Sequence, residues 1–314
     1  MSEIKTKLEK LKLLEERERL RRDLPHLHSF PFYRWAREFW NSTNPMTLLC
    51  AANQISKSSF QIRKMINWAT DKELWPKLWN LPPLQIWYLY PSFRVATIEF
   101  EKKFVPEFLP RGEEKKSERY GWSSEYAKGE ISAIHFNSGV SCYFKAYSQA
   151  PQDLQSGTCA AIFCDEELVE SLYPELSARL YASQGYFHMV FTPTLNQPFW
   201  RDAMEITGKG ERFPTAWKKR VSMYDCTLYE DGTPSPWTEM RIARIKAGCK
   251  SDAEIARRVY GRFVADSGLL YPGFVKDKNV IPEVSIPFDW SIAVGVDFGS
   301  GGDNHPSAVS FVAI

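Results

Sequence analysis

Apolar residues in this chain fall into short unbroken runs, separated by stretches with helical spacing. Met46 to Ala51 (MTLLCA), Leu84 to Tyr90 (LQIWYLY), Thr158 to Cys164 (TCAAIFC) and Tyr186 to Phe191 (YFHMVF) are apolar almost throughout. That is the pattern of strands buried on both faces. After the first run, Phe60, Ile62, Met65 and Ile66 recur at helical spacing, and helices are expected over 93–104 and 168–182. Ile131 to Phe136 and Val140 to Tyr147 flank Asn137-Ser138-Gly139, a hairpin turn signal. Residues 106–129 are polar and rich in Lys, Glu and Gly, and read as an exposed loop. Strands alternating with helices predict an α/β fold, a parallel sheet covered by helices on both faces.

The two ends differ from this centre. Residues 2–24 predict one charged helix, with Ile4, Leu8, Leu11 and Leu14 at helical spacing and Glu15–Arg19 and Glu18–Arg22 placed as i,i+4 pairs. It fits a solvated helix packed on its own domain or a partner-binding arm. Pro25 ends it, and an aromatic helix follows (Tyr33, Trp35, Phe39, Trp40). From Phe199 the character changes. Helices at 199–207, 237–247 and 251–261, a short strand from Arg220 to Tyr224 and Pro/Gly/Asp-rich loops predict a smaller subdomain over 199–278. Residues 279–290, with two prolines, read as a linker. Strands at Ile292 to Val296 and Val309 to Ile314 then open a new unit, so the chain is expected to be a piece of a longer protein.

Composition narrows the function classes. The 314 residues are 44% hydrophobic with 11 tryptophans, which marks a packed globular chain. A net charge of +2, from 40 basic and 38 acidic residues, leaves a nucleic-acid surface to a local patch. Six cysteines without CxxC spacing read as reduced core thiols. No signal peptide or membrane-length apolar run is found, so the chain is expected to be soluble and intracellular, with no membrane partner.

Two stretches carry candidate chemistry. LLCAANQISKSSF (48–60) reads as strand, tight loop and helix, with Lys57-Ser58 where the helix opens. Such a loop can wrap the backbone N–H groups of Asn53, Gln54, Ile55, Ser56, Lys57, Ser58 and Ser59 around a polyphosphate. Lys57 would lie near the outer phosphates and the Ser58 hydroxyl on Mg²⁺. The same residues fit an ordinary strand–turn–helix, since Ala51 and Ser56 stand where glycine is usual. Asp165-Glu166 closes an apolar strand. Asp165 could hold Mg²⁺ opposite Ser58, and Glu166 could orient and deprotonate the attacking water. The plainer alternative is an acidic turn opening helix 168–182. Thr192 and Thr194 end the next strand, where a hydroxyl could sense a γ-phosphate.

Four blocks together resemble the large terminase subunit of tailed bacteriophages, podovirus-like branch: AANQISKSSF (51–60), CYFKAYSQ (142–149) with FCDEE (163–167), FTPT (191–194) and VGVDFGSGGDNHPSA (294–308). GRFVADSGLLYPGF (261–274) is similar to that family's passage from lid to nuclease domain. The resemblance implies a P-loop NTPase core of the ASCE type over 25–198, a lid over 199–278 and the start of a ribonuclease-H-like nuclease domain over 291–314. It implies an ATPase in which Lys57, Ser58 and Asp165 bind Mg·ATP, Glu166 activates water, and Thr192 and Thr194 couple hydrolysis to lid movement. Asp297 would be the first carboxylate of a two-metal nuclease using Mg²⁺ or Mn²⁺. The implied function is ATP-driven packaging of double-stranded viral DNA into a procapsid. The implied partners are that DNA, a portal protein, a small terminase subunit and further copies in a pentameric ring, all in the host cytoplasm.

The sequence also departs from the family pattern. Asn53 stands where many terminases carry an arginine, Ala36 where a glutamine would read adenine, and Pro151 and Asp153 where relatives offer an arginine finger to the neighbouring subunit. Arg94 is the first substitute for that finger, with Arg119 the second. A helicase-like ATPase, or a degenerate nucleotide fold serving as a docking module, are the alternatives these departures keep open.

Overall fold

The computed structural model describes residues 2–28, 31–80, 83–155, 157–206, 210–264, 287, 289–297 and 308–313. In chain order the first unit runs α1 (Ser2–Asp23), α2 (Pro25–His28), α3 (Arg34–Asn41), β1 (Met46–Ala51), α4 (Lys57–Thr70), α5 (Pro76–Trp79), β2 (Gln85–Tyr90) and α6 (Phe93–Glu99). A π-helix, Phe100–Phe108, continues α6. Then come β3 (Trp122–Ala127), β4 (Glu130–Phe136), β5 (Ser141–Ala146), β6 (Ala161–Asp165), α7 (Tyr173–Tyr181), β7 (Tyr186–Phe191), α8 (Pro198–Glu205), β8 (Trp217–Val221), α9 (Glu239–Ala247) and α10 (Asp252–Arg258). Eight strands form one sheet in the order β3-β4-β5-β2-β6-β7-β1-β8. The pairings from β5 through β8 are parallel, and β3-β4-β5 is an antiparallel meander at one edge.

The period-2 alternation of the strands divides the core. Tyr88, Tyr90, Ala161 and Phe163 join a cluster on one face with Ile62, Met65 and Ile66 of α4. Trp87, Leu89, Ile162 and Cys164 join a cluster on the other face with Leu176 of α7 and Trp200 of α8. Both faces are therefore covered. β1 and β7 are buried at every position and β2 at all but its first, as the unbroken apolar runs require. Order β6-β7-β1 leaves β1, which leads into the 51–59 loop, and the acidic strand β6 one strand apart, with their carboxyl ends at the same edge of the sheet.

Several expectations need correction. Residues 106–129 are not one loop. They hold the end of the π-helix, a 3₁₀ turn at Glu114–Lys116 and β3. β3 escaped notice because only Trp122 of its six residues is buried, and the rest of this edge strand is exposed on both faces. Helix 168–182 begins later, with a 3₁₀ turn at Glu170–Leu172 and α7 from Tyr173, so Asp165-Glu166 does not open a helix. The strand expected at Arg220 to Tyr224 lies at Trp217–Val221 and pairs with β1 in the main sheet, and the stretch up to Val264 belongs to the same compact unit. On α1 the i,i+4 pairs expected from spacing do not form. Arg19 instead grips Glu16 through two bonds of 2.8 and 3.0 Å, and Arg22 binds Asp23 at 2.8 Å. Leu11 and Leu14 of its apolar stripe are about half exposed, at 52% and 49%.

A second compact unit starts at Ala265. Within it β9 (Ile292–Asp297) and β10 (Ala308–Ala313) pair antiparallel, with Asp297 opposite Ala308. The expected linker 279–290 lies mostly outside the described residues, and the turn FGSGGD beyond Asp297 lies wholly outside them. Among the described residues, no helix is long and apolar enough to cross a membrane.

Candidate active site

The chain leaves β1 at Ala51 and is fixed at once by two backbone bonds. Ala52 N–H donates to the Val221 carbonyl at 2.8 Å, and Asn53 N–H donates to the Arg258 carbonyl at 2.9 Å. Gly261 closes over the same spot with φ +59°, and an added Cβ there would lie 2.8 Å from the backbone of Ala51 and Ala52. The loop then turns through two left-handed residues, Gln54 at φ 58° and Ser56 at φ 69°. Ser56 is the residue before α4 and makes no side-chain cap, so nothing local offsets the Cβ cost of that conformation. Between them Ile55 is fully buried in an apolar cluster that includes Phe60 and Val221, so its side chain anchors the loop and does not line the cleft.

Lys57 opens α4. It is only 6% exposed, and its Nζ lies 3.2 Å from Glu166 Oε1. Ser58 Oγ donates to Asp165 Oδ1 at 2.8 Å. These two contacts join the loop and the acidic strand end, residues far apart in the sequence. They enclose a cleft of about 460 Å³ whose walls are Asn53, Gln54 and Ser56 to Ser59 on one side and Glu166 with Lys103 on the other.

The acidic end is tightly held. Asp165 is the last residue of β6 and is buried, and burial first, then the neighbouring Glu166, pushes its carboxyl up to about 7. Lys57 and the Ser58 hydroxyl pull the other way. Tyr147, from the CYFKAYSQ block, donates its hydroxyl to the carbonyls of Asp165 (2.8 Å) and Glu166 (3.0 Å). Gln61 donates to the Cys164 carbonyl at 3.0 Å and binds α4 to β6. Glu166 turns back at φ 73° and keeps its carboxylate in the cleft, 42% exposed. Glu167 has a different task. Its buried carboxylate accepts the N–H groups of Leu195, Asn196 and Gln197 at 2.6, 3.1 and 2.9 Å, which caps the turn after β7.

The remaining candidates separate. Thr192 is buried and donates to the Ala51 carbonyl at 2.9 Å, tying the end of β7 to the root of the loop. Thr194 lines an adjoining cavity of about 600 Å³ that shares Asn53 and Glu166 with the cleft. Arg94 is exposed and lines neither cavity. Arg119 is paired with Asp71 at 2.9 Å beside the last residues of α4, roughly 20 Å from its first residue at 1.5 Å per residue. It lines a separate cavity there, with Thr70 and Asp71. Lys103 and Tyr147 were missed as site residues. Tyr147 sat inside a distinctive block, whereas no spacing rule points to Lys103.

A hydroxyl and a carboxylate 2.8 Å apart suit Mg²⁺, which takes one or two protein oxygens and completes its shell with phosphate and water. Ser58 and Asp165 fit that role. No cluster of three or more His, Cys, Asp or Glu side chains able to hold a metal occurs among the described residues, so Asp297 is without gathered carboxylate partners there.

Comparison with known proteins decides the family. The family described as "Terminase large subunit, T4likevirus-type, N-terminal" matches residues 68–275. This chain belongs to that large terminase family. The match is to a T4-like description, and supports the large-subunit reading but not the podovirus-like branch. Among solved structures, the large terminase from a thermophilic bacteriophage is 15% identical with a TM-score of 0.50, over 90% of this chain and 65% of that one. The same terminase in complex with ADP is 16% identical with the same TM-score, over 91% and 65%. The large terminase ATPase domain of Thermus phage P74-26 is 17% identical with a TM-score of 0.47, over 73% and 92%. At such identities the likeness is one of fold. This terminase chain thus spans under two thirds of the thermophilic-phage protein that was solved with ADP. No curated protein matches the sequence.

Proposed function

We propose that this chain is the ATPase part of a motor that drives double-stranded viral DNA into a procapsid. The single observation behind the reading is the pair of contacts at the carboxyl edge of the sheet. Ser58 and Asp165 stand together as a metal-holding pair, and Lys57 and Glu166 face one another across the cleft. Open α/β sheets bind ligands at that edge. Lys57 would receive the outer phosphates, and the backbone from Gln54 to Ser59 would cradle them. Mg²⁺, when bound with ATP, neutralises phosphate charge. Glu166, solvent-reachable beside Lys57, would orient a water toward the terminal phosphorus and take its proton. Thr192, through the Ala51 carbonyl, would link the end of β7 to the loop. The ADP complex of the thermophilic-phage terminase supports a nucleotide as ligand.

The wider reading follows the family. DNA, a portal, a small terminase subunit and a pentameric ring are the proposed partners, and the host cytoplasm is the place. The stretch 199–278 is the proposed lid, and Asp297 the first carboxylate of a proposed two-metal nuclease that needs Mg²⁺ or Mn²⁺. Lys57→Ala tests the core of the proposal. It should abolish binding of a fluorescent Mg·ATP analogue that the unmodified chain binds, with an unchanged far-UV spectrum. Failure of the unmodified chain to bind at millimolar nucleotide would refute the ATPase reading and favour a docking module.

A further inference from the structure

Lys57 is not the only cation in the phosphate cleft. Among the described residues lining it, the loop and the start of α4 supply six and the end of β6 supplies Glu166. Lys103 alone comes from a third element. That element is unusual. α6 runs without a break into nine residues of π-helix, Phe100–Phe108, carrying Pro106 inside and closing with Leu109 N–H on the Phe104 carbonyl at 2.7 Å. π-helical turns are rare and concentrate at functional sites, because they re-aim side chains that regular spacing would point elsewhere. Phe100, Phe104 and Phe108 bury the inner face of this segment, which leaves Lys103 directed at the cleft.

The ammonium is also restrained. Its Nζ lies 2.5 Å from Glu99 Oε2, one turn back, with the lysine side chain 33% exposed. An unrestrained surface lysine would give up rotamer freedom to hold one position, and this pairing meets that cost before any ligand arrives. Meanwhile the loop from Ala51 to Ser59 contains no arginine, Arg94 lies outside the cleft and Arg119 lies at the far end of α4.

We propose that Lys103 is a catalytic cation supplied in cis, donating to the terminal phosphate of bound ATP and steadying the charge that gathers on it during cleavage. The inference rests on the ATPase reading of the same cleft. In the step it serves, a water oxygen bonds to the γ-phosphorus while the bond from that phosphorus to the β–γ bridging oxygen breaks. ADP leaves with that electron pair, and the water proton passes to Glu166. Lys103 gives and takes no proton. Its contribution is a fixed positive charge where negative charge develops, so it should act on turnover more than on binding.

The test compares the full chain with Lys103→Met, Lys103→Arg, Glu99→Gln and Lys57→Ala, in steady-state Mg·ATP hydrolysis at one protein concentration and in fluorescent ATP-analogue binding. Lys103→Met should lower kcat at least tenfold while KM and analogue affinity change less than threefold. Lys103→Arg should restore most of the rate. If Lys103 only staples a helix, Lys103→Met and Glu99→Gln will lower the melting midpoint alike and leave kcat within twofold, and that result overturns the proposal. A normal rate in Lys103→Met, with Lys57→Ala inactive, sinks Lys103 but spares the ATPase reading. An unmodified chain that neither binds nor hydrolyses ATP sinks both.

Discussion

Replacing Ser56 by glycine should stabilise this protein, although it removes a hydroxyl next to the phosphate cleft. Ser56 sits at φ 69°, ψ 20°, in the left-handed region, and caps nothing with its side chain. For an L-residue that conformation costs about 1–2 kcal/mol, because the Cβ crowds the following carbonyl. Glycine removes the crowding but gains freedom in the unfolded chain, which costs about 0.5–1 kcal/mol in return. The net expectation is a stabilisation of about 0.5–1 kcal/mol, read as a higher urea midpoint at unchanged m-value. Ser56→Ala separates the two atoms involved. It keeps the Cβ and loses only the hydroxyl, so its midpoint should stay with the unmodified protein. If alanine and glycine shift the midpoint equally, the hydroxyl matters and the backbone argument is wrong. A destabilised Ser56→Gly would show that the loop needs the rigidity of a side chain more than relief from its crowding. By the same reasoning glycine lets phosphate approach the backbone more closely, and ATP-analogue affinity should rise or hold.

Glu166→Gln should keep analogue binding and lose turnover at least a hundredfold, the size typical of a positioned base. Glu167→Gln should act on stability instead, because that carboxylate caps three N–H groups after β7, and thermal melting tells the two apart. Gly261→Ala should be destabilising by several kcal/mol or block folding, since its Cβ meets the backbone of Ala51 and Ala52 at 2.8 Å at a positive φ; soluble yield and urea melts report it. Acid should weaken the fold below pH 6.5. Burial holds His26 down to about 3 and His188 well below its usual value, so both imidazoles take protons only when unfolded. Asp165, raised to about 7, binds a proton in the folded state and opposes one of them. Two imidazoles that gain protons on unfolding outweigh the one carboxyl that loses one, so stability should fall with pH, and a urea midpoint that stays flat or rises from pH 6.5 to 5 contradicts it.

The legible part of the sequence was the part governed by burial on two faces. β1, β2, β6 and β7 announced themselves because almost every residue in them is apolar, and the loop and acidic pair stood at their ends. β3 stayed hidden because five of its six residues are exposed, and polar edge strands resemble loops. Glu166 was the one named for the cleft, but what separates it from Glu167 was not legible in the sequence. The difference depends on Glu166 adopting a positive φ and on three amides downstream of β7 closing around Glu167. Lys103 was invisible for a similar reason, since its aim depends on a π-helical register that apolar periodicity does not encode. Arg94, placed by analogy and not by geometry, lies outside both cavities of its own chain.

The two bonds at the root of the loop also set the size of its proposed anion cradle. Ala52 and Asn53 have already given their amides to Val221 and Arg258, and Phe60 has given its own to Ser56. What remains for a ligand is the short arc between them, which includes first-turn amides that a helix cannot satisfy from within. An arc of donors that narrow would admit few phosphates at a time and would centre them over the helix end. The strand and helix that supply Val221 and Arg258 would therefore act as a gauge, fixing how far along the chain the proposed polyphosphate could be held.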